Sequence, residues 1–127
     1  MATKNLWGDL KDLPLMRTPR GILQEQAEIL STATEGILRG RVDERQCQDN
    51  NGALSYDLDI VVPSLNSYTY TLLTIEHPIE LFPVHVYSLS FKPTTCETEE
   101  EFEAAIENIL SSSKVRQVLS SLLSQAS

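Results

Sequence analysis

Two histidines, two closely spaced aspartates and a run of glutamates are the residues here whose types and spacing could do chemistry. His77 and His85 bracket a loop containing Pro78 and Pro83, with Glu76 and Glu80 around the first histidine. Closing that loop would bring two imidazoles and the Glu80 carboxylate together, a donor set that zinc accepts. No other ligand recurs at metal spacing, so the pair reads as surface or partly packed histidines, with no metal and no other cofactor. Asp57 and Asp59 stand two residues apart in an alternating segment and therefore share a strand face. General acid–base catalysis would need one of them raised in pKa by burial. Arg41 and Arg45 upstream act the other way, favouring the ionised carboxylates, and the aspartates read as structural ion-pair partners.

The remaining motifs are poorer still. The five glycines are dispersed, so no phosphate-cradling loop exists, and no Gly-x-Ser-x-Gly nucleophile turn is present. Glu97 to Glu103 lacks the alternating ligands and the glycine of a calcium loop and suits a helix start. No residue is assigned a catalytic role.

Charge narrows the partners. With 10 basic against 18 acidic side chains the formal charge is −8, a field that repels phosphate backbones. The nearest thing to a basic stripe, Arg39, Arg41 and Arg45, is interleaved with Asp43 and Glu44, so no nucleic-acid role is expected. Met1 to Met16 has no continuous apolar region like that of a secretory leader, and no stretch reaches the roughly 20 apolar residues of a membrane span. Cys47 and Cys96 are too far apart in sequence for a redox or zinc motif and suit free thiols in a reducing cytoplasm.

These residues must be positioned by a chain of 127 residues, the size of one domain. Residues 1–17 read as an arm, in which Leu6, Leu10 and Leu13 recur at helical spacing beside Trp7 while Gly8 and Pro14 oppose a long helix. Residues 18–125 read as a single α+β domain. Thr18 and Pro19 are a helix N-cap and first position, Ile22, Ala27, Ile29, Leu30 and Ala33 form the apolar stripe, and Gly36 ends it.

A hairpin follows. Leu54, Tyr56, Leu58, Ile60 and Val62 alternate with Ser55, Asp57, Asp59 and Val61, and Leu38, Gly40 and Val42 alternate with arginines. A loop of Asn50, Asn51 and Gly52 sets a register in which Val42 faces Ile60 and Arg45 faces Asp57. A third strand runs from Tyr68 to Ile75, with a bulge or two-sided burial where Leu72-Leu73 breaks the alternation. A fourth covers Val84 to Phe91. Thr98 and Glu101 form a capping box for a helix with Phe102, Ala105, Ile106, Ile109 and Leu110 as its stripe. The later stripe of Val115, Val118, Leu119 and Leu122 points nearly opposite, so Ser111-Ser112-Ser113 marks a break between two helices.

The expected fold is α+β: an N-terminal helix, a four-stranded antiparallel meander and two C-terminal helices packed on one sheet face. The function it suggests is that of a small acidic, non-enzymatic protein-interaction domain of chaperone-like, immunity-like or antitoxin-like kind. It would bind a second copy of itself as a homodimer, or another protein. An outward apolar face with Leu73 and Ile75, the loop residues Leu81 and Phe82, and Val115, Leu119 and Leu122 are the expected contact residues. The alternative is a small-ligand-binding or enzymatic domain with a pocket between a curved sheet and the helices, lined by Tyr56, Tyr68, Tyr70 and His85.

Overall fold

The hydroxyl of Thr18 accepts from the amide of Gly21 at 2.9 Å, and Pro19 supplies the preset first turn, so a helix begins there. The computed structural model, which describes residues 3–45 and 52–126, has this helix, α1, over Pro19–Ala33. Gly36, at φ 81°, donates its amide to the carbonyl of Ser31 at 2.8 Å and closes the helix end. Its buried face is Ile22, Leu23 and Ala27; Ile29, expected inside, is exposed.

Five strands follow: β1 (Arg39–Arg45), β2 (Leu54–Val62), β3 (Tyr68–His77), β4 (Val84–Tyr87) and β5 (Thr94–Cys96). They pair antiparallel in sequence order. Two helices end the chain, α2 (Glu99–Leu110) and α3 (Ser113–Ala126). The fold is α+β with a five-stranded antiparallel sheet, where four strands were expected. The fourth stops at Tyr87, and a short fifth, Thr94–Cys96, pairs with it through Val84 and Cys96.

The hairpin alternation places Tyr56, Leu58, Ile60 and Val62 in the core, as their period of two requires. The pairing is two residues off the expected register: Val42 faces Leu58, Arg41 faces Asp59 and Arg45 faces Ser55 rather than Asp57. A slip of two keeps every side chain on its expected face. Asn50 and Asn51 of the expected turn lie outside the described residues; Gly52 has φ 84°.

Leu72 is the extra residue of a bulge, because Leu58 pairs with Leu73 and Asp59 with Thr71. The bulge resets the alternation, so Leu73 (1% exposed) and Ile75 (0%) join the core and Thr69, Thr71, Thr74 and Glu76 take the other face. The expectation of an outward apolar face there is corrected. One core cluster gathers these inward residues with Ile22, Leu23 and Ala27 of α1, Phe102, Ile106 and Ile109 of α2, and Val115 and Leu122 of α3. The opposite sheet face is polar.

Thr98 caps α2 by accepting from the Glu101 amide at 3.1 Å, and the Glu101 carboxylate reaches back to the Glu97 amide at 2.8 Å. The expected break at the serines is present. Ser112 donates to the carbonyl of Ile109 at 2.7 Å and accepts from the amide of Val115 at 3.2 Å, so one hydroxyl ends α2 and starts α3. No helix among the described residues is long and apolar enough to cross a membrane.

Candidate functional site

Three places carry polar or apolar groups that the core does not use. The first is the polar face of β1–β3. Arg41 donates to Asp43 at 2.8 Å and to Asp59 at 3.5 Å, and Arg45 stands 3.8 Å from Asp57. Thr71 donates to Asp59 at 2.7 Å and Thr74 to Asp57 at 2.6 Å. Asp59 is only 4% exposed. Burial raises its carboxyl above the usual range, and a hydrogen bond to Asp43 raises it further; the same bond holds Asp43 low. The expectation that the neighbouring arginines favour ionised Asp59 is corrected in direction: desolvation first, then Asp43, raises its carboxyl. The side chain is buried among its neighbours on the polar face, which suits a structural carboxyl pair rather than a substrate site.

The second place is a cleft of about 590 Å³ between the start of β3 and the outer side of α3. Leu65, Tyr68 and Tyr70 form one wall. The other is a single helical face, Lys114, Gln117, Val118, Ser121, Leu122 and Gln125, whose spacings of three and four were legible in the sequence. Its volume falls in the roughly 300–1,000 Å³ range of small-ligand clefts. Among the described residues, Lys114 is the only charged group lining it.

The third is the arm. Residues 3–17 are exposed throughout, including Leu6 (83%), Trp7 (81%), Leu10, Leu13, Leu15 and Met16. The arm is nonetheless shaped locally. Asn5 accepts from the Trp7 amide at 2.9 Å and donates to the Gly8 carbonyl at 3.0 Å. Asp9 caps a 3-10 turn over Leu10–Asp12. At its base Arg17 pairs with Glu25 of α1 and with Glu99 and Glu103 of α2.

Of the expected contact residues, Leu73 and Ile75 are interior. Val115 and Leu122 are buried against the chain's own core, and Leu119, Leu81 and Phe82 are half-buried. Leu81 sits in a turn at φ 82°, its amide bonded to the Pro78 carbonyl at 2.9 Å. Of the expected pocket residues, Tyr68 and Tyr70 meet in the cleft while Tyr56 and His85 lie elsewhere. Tyr56 is buried, stacked on His77 with ring centroids 5.9 Å apart and Arg20 over its ring. His85 is on the polar face, 3.0 Å from the Thr95 hydroxyl. His77 and His85 line one shallow hollow with Glu76 and Glu80, but among the described residues no three His, Cys, Asp or Glu side chains are grouped to hold a metal.

No protein-family model, no curated protein and no solved structure matches this chain.

Proposed function

We propose that this chain is a non-enzymatic, cytoplasmic protein-interaction domain of the chaperone-, immunity- or antitoxin-like kind, and that its N-terminal arm makes the contact. The carrying observation is the set Leu6, Trp7, Leu10, Leu13, Leu15 and Met16, six apolar side chains within eleven residues that none of the described residues covers. Uncovered patches of this kind mark binding surfaces, and each such side chain gains roughly 1.5–3 kcal/mol when covered. The −8 charge argues for a protein surface rather than nucleic acid as the acceptor. The wide sequence separation of Cys47 and Cys96, and the free thiol of Cys96, suit a reducing compartment.

The test is tagged purification from the native cells, with the wild-type chain beside Trp7→Ser/Leu10→Ser/Leu13→Ser. Proteins retained by the wild type and lost from the variant are the expected result. The same set on both would remove the arm from the binding surface.

A second reading, a small-ligand binder, is favoured by the meeting of Tyr68 and Tyr70 with the polar face of α3 around one cleft. Thermal stabilisation of the chain by members of a small-molecule library, lost in Tyr70→Ala, would support that reading.

A further inference from the structure

We propose that the acceptor of the arm is a second copy of this chain, and that the arm of each copy lies in the β3–α3 cleft of the other. The proposal rests on the interaction reading above and names its partner. Each molecule carries both halves of the contact: an exposed apolar arm and an open cleft with Leu65, Tyr68, Tyr70 and Val118 in its walls. One two-fold exchange fills both clefts and covers both arms, the economy that makes two-fold dimers the commonest assembly.

Charge selects the same pairing. The arm places Asp9 and Asp12 beside Leu10 and Leu13, and the one charged group among the described residues lining the cleft is Lys114, a lysine on a strongly acidic chain. Size agrees too. The fifteen described arm residues and the nine of the cleft make a side of the roughly 20–30 residues found in standard interfaces. The arm is also shaped before it binds, by the Asn5 bracket and the Asp9-capped turn, which reduces the ordering cost of docking. The described residues of its own molecule leave Leu6, Trp7 and Leu15 in water, which leaves them free to meet the apolar wall of a second copy's cleft.

Trp7 is the sole tryptophan and reports directly on the contact. Sedimentation and Trp7 emission of the full chain, followed across a dilution series, should show twice the monomer mass together with blue-shifted emission, both lost on dilution. Lys114→Glu and Asp12→Lys should each weaken the dimer about tenfold, and the two together should restore most of the affinity. Both positions are exposed, so folding is not at stake. Mixing Trp7→Phe/Leu10→Ser/Leu13→Ser, which keeps its cleft and carries no tryptophan, with Lys114→Glu, which keeps its arm, tests exchange separately. The Trp7 emission of the Lys114→Glu chain should shift to the blue only when the other chain is present.

A monomer with Trp7 in water at all concentrations overturns the exchange but leaves the interaction reading standing if the arm variant still loses co-eluting proteins. A monomer with Trp7 buried at every dilution overturns it in favour of the arm folding onto its own chain. A dimer indifferent to Lys114→Glu and Asp12→Lys places the contact elsewhere and overturns it as well.

Discussion

The backbone of Ala27 in α1 lies 2.4 Å from where a Cβ on Gly40 of β1 would stand. Helix and strand therefore touch main chain to main chain, and the Ser31 hydroxyl accepts from the Gly40 amide at 3.0 Å in the same contact. Gly40→Ala must push α1 off the sheet and should cost upward of about 2 kcal/mol, read as a lower urea midpoint. The obstacle is backbone rather than side chain, so adding Ala27→Gly should not rescue it. Rescue would mean the approach is looser than it stands.

The Asp59 carboxyl gives stability an unusual dependence on pH. Its folded-state pKa is raised, so the folded state holds this proton more tightly than the unfolded chain does. Its contribution is full below the ordinary carboxylate range near about 3.9 and is lost as pH rises through the higher folded value. Asp43 is lowered and acts in the opposite sense, contributing above the ordinary range and losing that contribution as pH falls. Asp59→Asn keeps an acceptor for Thr71 and removes the buried charge. Urea titrations should show the variant gaining on the wild type as pH is taken from 4 to 7 (about the carboxylate range to neutrality). A constant difference across that range would rule the raised carboxyl out.

Ser112 serves two helices, and Ser112→Ala should therefore cost about 1 kcal/mol, the usual size of a lost N-cap. Ser111→Ala, whose hydroxyl bonds only back to the Glu107 carbonyl, should cost less. Thermal melts of the two variants side by side would decide it.

Cys96 is buried, and burial followed by the nearby Glu101 charge raises its thiol pKa. In a Cys47→Ser background it should resist thiol reagents at neutral pH and react fully once the chain is unfolded. Rapid labelling of the native protein would contradict its placement between the sheet and α2.

How much of this was legible follows the physics of each signal. The period of two in residues 54–62 assigned faces correctly even though the register was two residues off, because a slip of two changes partners but not faces. The capping residues Thr18, Thr98 and Ser112 marked helix ends because their bonds are local. The strand Thr94–Cys96 was missed because three residues show no period. The helical spacing of Lys114, Gln117, Ser121 and Gln125 was legible, but the cleft was not, because nothing local says which distant strand a polar helix face meets. The raised Asp59 depended on burial, which the neighbouring arginines gave no hint of.

The bulge at Leu72 offers the sharpest test of the sheet. Thr71 pairs with Asp59 and Leu73 with Leu58, so the two partners on β2 are adjacent while those on β3 are not. Deleting Leu72 joins them into one regular ladder and leaves every other side chain of β3 on its present face. The chain should still fold, weakened by about 1.5–3 kcal/mol for the lost burial of one leucine, with part of that offset by removal of the bulge. Leu73→Asp, by contrast, sets a carboxylate in the middle of the core against Leu58 and should leave the chain unfolded at ordinary temperature. Circular dichroism separates the outcomes. If deletion of Leu72 unfolds the chain while Leu73→Asp leaves it folded, Leu73 faces outward and the assignment of the two sheet faces beyond the bulge is reversed.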